Sequence, residues 1–192
     1  MKTQTIVAIK FLLVMTILTG VIYPFLMTGL AQLIFPNRAN GSLVMKNGKI
    51  AGSELIGQKF DSIIYFWPRP SVIDYNPIPS GASNLGPTSD KLKKQVAERR
   101  MLFATSNSIA DTSAIPKEML FASASGLDPH ISPEAALLQL KRVAMARNLN
   151  ETQIQQVVQL IKNKTQGPQF FLFGEPRINV FKLNLALDSI RQ

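Results

Sequence analysis

Phe11–Phe35 reads FLLVMTILTGVIYPFLMTGLAQLIF, twenty-five consecutive residues without an Asp, Glu, Lys, Arg or His. At about 1.5 Å of rise per residue this run makes a helix of roughly 37 Å, longer than the ~30 Å hydrocarbon core of a bilayer. It reads as one membrane-spanning helix. A cleaved secretory signal competes with that reading, because Gly29-Leu30-Ala31 places small residues where a signal peptidase cuts. The apolar region of a signal is about 7–15 residues long, whereas this one stays apolar on both sides of Pro24.

Outward from the span, Lys2, Lys10 and the terminal amine stand before it, which under the positive-inside rule predicts a cytoplasmic N-terminus and a domain on the far side. The expected organisation is an N-terminal segment, 1–35, carrying the helix over 11–35, followed by one soluble α+β domain over 36–192. All twelve acids and nineteen of the twenty-one Lys and Arg lie in that domain, a basic excess of seven. The charges are scattered, and Lys91, Lys93, Lys94, Arg99 and Arg100 sit among Asp90 and Glu98 as on a solvated helix face, so a nucleic-acid partner is not expected. The chain has no cysteine, which rules out disulfides, thiolate metal sites and a cysteine nucleophile.

Within the span, Thr16, Gly20, Pro24 and Thr28 recur at every fourth position. Small residues let a neighbouring backbone approach closely, and a proline is tolerated where neighbours re-satisfy the carbonyl it frees. The strip is therefore a candidate partner contact. The alternative is that Gly and Pro are simply commoner in membrane helices than in soluble ones.

Downstream, Ser42–Met45, Asn47-Gly48 and Lys49-Ile50 predict a β-hairpin, and Ile63–Trp67 a second strand. Pro68–Pro87 holds five prolines and reads as a long ordered loop. Asp90 is expected to cap a helix bearing Leu92, Val96 and Phe103, and Ser132-Pro133-Glu134 to open one running to about Arg147. Asn150 should cap a third, with Ile154, Val157, Val158 and Ile161 on its apolar face. The tail alternates at Phe171 and Phe173 and again from Phe181 to Leu187, as two strands or a strand entering a helix.

Chemistry-bearing motifs are missing. No phosphate loop, GxGxxG or GxSxG occurs, and the single histidine, His130, has no cysteine or second histidine with which to share a metal. Neither a catalytic residue nor a cofactor or metal ligand is assigned. Tyr65-Phe66-Trp67-Pro68-Arg69-Pro70 is the best candidate surface, since aromatics beside an arginine make interface hot spots; Tyr65, Phe66 and Arg69 are its candidate contacts. The alternative is that Phe66 and Trp67 close the core and Arg69 pairs with a carboxylate.

Several stretches carry a resemblance. Thr19–Pro24, Phe35-Pro36, Ala39–Leu43, Leu55–Gln58, Tyr65-Phe66, Arg69–Ser71, Tyr75–Pro77 and Ser83–Leu85 form its first half. Ser123–Asp128, Ile131–Pro133, Arg142–Ala144, Ala146-Arg147 and Asn184–Asp188 complete it. Together they resemble the C-subunit family of the bacterial Kdp potassium-importing P-type ATPase, with one departure at Ala82, where that family usually has a second glycine after Ser80-Gly81.

The resemblance implies a non-catalytic accessory subunit in the bacterial inner membrane. Its partners would be a channel-like K⁺-selecting subunit, a P-type subunit that uses ATP and Mg²⁺ through an aspartyl phosphate, a very small membrane subunit and the lipid bilayer. The phosphorylatable Asp-Lys-Thr-Gly-Thr motif of the P-type subunit is absent here. The family is also described as a catalytic chaperone that raises the P-type subunit's ATP affinity. A domain outside the membrane could do so only through coupling across its partners. A signal-anchored extracytoplasmic enzyme is the third expectation.

Overall fold

The computed structural model describes residues 2–190. They form two compact units, one ending at Ser53 and the other beginning at Glu54.

The first unit is built on a continuous helix, Lys2–Ile34, none of which is buried. It comprises α1 (Lys2–Ile17), a wide π turn (Leu18–Ile22) and α2 (Tyr23–Ile34). Pro24 explains the wide turn. Proline donates no N–H, and its ring crowds the carbonyl four residues back, here that of Gly20. The widened turn relieves this with an i→i−5 bond from Tyr23 N–H to the Leu18 carbonyl. Thr19 Oγ1 donates to the Met15 carbonyl at 2.7 Å.

Next come the short helix α3 (Pro36–Ala39) and the predicted hairpin, β1 (Leu43–Lys46) against β2 (Lys49–Ser53). Asn47 and Gly48 take φ +53° and +74°, as a two-residue turn of primed type requires. The Gln32 and Asn40 side-chain amides exchange two hydrogen bonds, at 3.2 and 3.3 Å, tying the helix end to the turn after α3.

In the second unit four α-helices pack with a small sheet, three of them directly against it. They are α4 (Asp90–Asn107), α5 (Pro133–Ala146), α6 (Glu151–Lys164) and α7 (Val180–Leu187). The strands β3 (His130–Ile131), β4 (Thr165–Gln166) and β5 (Arg177–Asn179) pair antiparallel in the order β3-β5-β4. The core gathers Phe66, Phe103, Leu120, Ile131, Val143, Val157, Ile161, Ile178, Leu183 and Leu187.

Local signals placed most helix starts. Ser132 accepts from Ala135 N–H, and Asn150 makes a two-way capping box with Gln153. Two expectations are corrected. Ser89 caps α4, accepting from Leu92 N–H, while Asp90 occupies the first turn, where its carboxylate meets the positive end of the helix dipole. Ile63–Trp67 is not a strand, because its backbone groups are bound by side chains instead of a neighbouring chain. In the tail, Phe171 lies in a turn that Phe173 closes by bridging to Gln169, and the run Phe181–Leu187 lies wholly within α7, which follows the short strand β5, so neither run is a strand.

Candidate functional site

Ile63–Trp67 is irregular backbone in the middle of the second unit, and buried peptide groups must find partners somewhere. Two helices supply them. The buried face of α5 recurs as Ala135, Ala136, Gln139, Arg142 and Val143, so Gln139 and Arg142 point inward with the apolar residues. Gln139 Oε1 accepts from Trp67 N–H at 2.7 Å, and its amide donates to the Trp67 carbonyl at 3.2 Å. Asn184, on α7, does the same for Phe66, at 2.9 Å in both directions.

Arginines complete the clamp. Arg142 donates to the carbonyls of Ile63 (2.6 Å) and Tyr65 (3.0 Å), to Asn107 Oδ1 (3.0 Å) and to Gln139 Oε1 (2.8 Å). Its guanidinium carbon lies 4.1 Å from the centre of the Trp67 ring. Burial lowers its pKa to about 10, so it remains a cation at neutral pH. Arg147 donates to the Ile64 carbonyl (2.7 Å) and to Asp188 Oδ1 (2.8 Å), stacks 5.0 Å from the Tyr65 ring, and the Tyr65 hydroxyl donates to Asp188 Oδ2 at 3.4 Å.

Beyond the clamp the segment emerges at Arg69. Its Nη1 donates to Asp128 Oδ2 at 2.7 Å, and Asp128 Oδ1 accepts from His130 N–H at 3.0 Å and stands 3.4 Å from His130 Nδ1. Burial alone would raise the Asp128 carboxyl, but the His130 and Arg69 hydrogen bonds outweigh it and hold the pKa at about 2. These three residues line an open polar cavity of about 540 Å³ with Glu118, Ser132 and Arg177. Ser132 Oγ is engaged as the α5 cap, and among the described residues no hydrogen bond joins a serine hydroxyl to His130. Arg69 Nε is buried without a hydrogen-bond partner among the described residues.

Glycines bring the resembling stretches together. Gly57 N–H donates to the Leu127 carbonyl at 2.7 Å, and a Cβ at Gly57 would fall 2.8 Å from the Asp128 carbonyl oxygen. Gly126, at φ +71°, faces Ile73 so closely that a Cβ would lie 2.6 Å from Ile73 Cγ1. The Tyr75 hydroxyl donates to the Arg69 carbonyl. Burial, with the Asp74 charge adding to it, raises the Tyr75 pKa and keeps the hydroxyl a donor.

Of the sequence-derived contacts, Phe66 is fully buried and presents no surface. Tyr65 and Arg69 are half-buried. Thr16, Gly20, Pro24 and Thr28 are all exposed, and a Cβ at Gly20 would meet nothing within 4 Å. Four-residue steps drift about 40° each round a regular helix, and the extra residue held by the π turn reduces that drift where it occurs. Sequence reading assigned no role to Gln139, Arg142, Arg147 and Asn184, although the last three stand in the stretches that carry the resemblance. The available signal was polar side chains at positions whose helical phase is apolar.

The chain joins one helix long and apolar enough to cross a membrane to a small α+β unit, and among the described residues no group of His, Asp and Glu could hold a metal. The family model for KdpC, the c chain of the K⁺-transporting ATPase, matches residues 5–189. The chain is 49% identical over 187 residues to the potassium-transporting ATPase KdpC subunit of Methylococcus capsulatus, with 96% of each chain covered. It is 46% identical over 183 residues to that of Leptospira interrogans, covering 95% of this chain and 92% of the relative. For the Burkholderia orbicola subunit the identity is 48% over 193 residues, covering 98% and 97%. The chain belongs to the KdpC family.

Proposed function

We propose that the chain is a non-catalytic accessory subunit that assembles an ATP-driven K⁺ import complex. Its helix lies in the bacterial inner membrane with the N-terminus in the cytoplasm, and the residues after the span are extracytoplasmic. The Thr16–Thr28 strip packs against a membrane-embedded partner, and the second unit caps the channel-like subunit near the K⁺ entrance, with Tyr65 and Arg69 among its contacts. ATP, Mg²⁺ and the aspartyl phosphate belong to the P-type subunit, K⁺ is the transported ion, and a small membrane subunit completes the assembly.

The observation that carries this reading is the helix itself. The helix Lys2–Ile34 carries an apolar stretch long enough to cross a membrane, and none of its residues is buried by the rest of the chain, so lipid or another subunit must cover that stretch. The names of the relatives support the choice of complex.

The test exploits the missing cysteines. Met145 is exposed on α5. Met145→Cys should react with a membrane-impermeant thiol reagent in intact spheroplasts. Reaction only after lysis would place the second unit in the cytoplasm, overturn the capping role and make direct contact with ATP feasible. Transport that survived truncation to residues 1–35 would also overturn capping.

A further inference from the structure

Between β4 and β5 the chain reverses direction, with Gln169 and Phe173 exchanging backbone hydrogen bonds at 2.8 and 2.9 Å across an antiparallel bridge. The tip of this reversal is apolar. Phe170, Phe171, Leu172 and Phe173 are 83%, 97%, 81% and 67% exposed, and none of them belongs to the core. No other run of exposed large apolar residues in the described second unit exceeds two. Phe170 and Phe171 also take φ +53° and +62°, a conformation unfavourable for bulky side chains that here holds both rings at the tip. At the base of the tip, exposed Lys162 and Lys164 end α6 and exposed Arg177 opens β5, with Glu175 beside them; Phe173 and Glu175 also line the cavity that holds Glu118 and the Arg69–Asp128 pair.

We propose that the Phe170–Phe173 tip inserts into the interfacial region of the bilayer that holds the chain's own helix. The inference rests on the membrane anchoring argued above. Contiguous exposed apolar surface rimmed by polar residues marks a protein or membrane contact, and two observations favour the membrane. The second unit starts only twenty residues beyond Ile34, so even a fully extended connection keeps it within roughly 70 Å of the bilayer. Tethering makes insertion effectively intramolecular, so a weak contact suffices to hold the tip. Lys162, Lys164 and Arg177 complement anionic headgroups, as in other interfacial anchors with apolar residues below and Lys or Arg above.

The experiment uses the full chain in its complex, reconstituted into vesicles containing phosphatidylglycerol. A polarity-sensitive fluorophore is placed on single cysteines at Leu172, at Val14 inside the span and at Met145. Brominated lipid should quench the label at Leu172→Cys and Val14→Cys but not at Met145→Cys, and Phe171→Asp should reduce quenching at Leu172→Cys at least threefold. Quenching of the Leu172→Cys label by aqueous iodide to the Met145→Cys level would overturn the proposal. Shielding from both quenchers would overturn it too, assigning the tip to a protein partner. If the Val14→Cys label also escaped lipid quenching, anchoring itself would fall and insertion with it.

Discussion

Asn184 holds both main-chain polar groups of Phe66, 118 residues away in sequence, accepting its N–H and donating to its carbonyl at 2.9 Å each. The amide thereby does for one residue what a neighbouring strand does for a whole segment. Gln139 repeats the arrangement on Trp67, so the irregular segment is sewn to α5 and α7 one residue at a time.

Asn184→Leu should therefore destabilise the second unit by about 3 kcal/mol, because two buried backbone groups lose their partners together. Trp67 is the single tryptophan and adjoins the affected residue, so its fluorescence during denaturant unfolding of the full chain in detergent reports the loss. A midpoint unchanged from the parent would refute the clamp.

At Arg142, lysine keeps a cation but not the fork. Arg142→Lys should cost about 2–4 kcal/mol, more than Arg147→Lys, because Arg142 is the more buried and serves four acceptors. The same change removes the guanidinium from the Trp67 ring, so the native emission maximum should shift.

Acid should weaken the Arg69–Asp128–His130 corner. The Asp128 pKa is held near 2 in the folded chain, below its ordinary unfolded value of about 3.9. Its contribution is thus fully present above the unfolded value and is lost as pH falls through the folded one. After discounting for partial exposure, about 1–2 kcal/mol should disappear between roughly pH 5 and pH 2. Stability of Asp128→Asn should be lower at pH 6 and flatter across that interval, which denaturation at a series of pH values will read.

Gly57→Ala and Gly126→Ala should each cost about 1–3 kcal/mol, for different reasons. The first drives a methyl against the Asp128 backbone carbonyl, which cannot swing aside. The second meets the end of the Ile73 side chain and also an unfavourable φ of +71°. Adding Ile73→Ala should recover part of the Gly126→Ala penalty and none of the Gly57→Ala penalty in double-mutant cycles.

In the span, Gly20→Leu should reduce the yield of co-purified partner subunits several-fold while leaving unfolding of the second unit unchanged. A Cβ there meets nothing within 4 Å beyond its own helix, so loss of partner subunits would point to a contact outside the chain. Equal recovery of the complex would count against the strip as a contact.

What could be read from the sequence by itself was whatever depends on near neighbours along the chain or on composition. The apolar run announced a helix of bilayer length, Asn47-Gly48 a tight hairpin, Ser132-Pro133 and Asn150 two helix starts, and the Pro-rich stretch a loop. Each rule spans a few residues or counts polar atoms against solvent, and neither needs a fold. Ile63–Trp67 looked like a strand because its side chains suit one. Only the tertiary structure decided that Gln139, Arg142, Arg147 and Asn184, between 72 and 118 residues distant, would bind its backbone instead. It also decided that Phe66 would lie in the core and that Asp128 would be locked in its charged form. A buried polar group takes whichever partner packing delivers, and packing is a property of the whole chain rather than of any window along it.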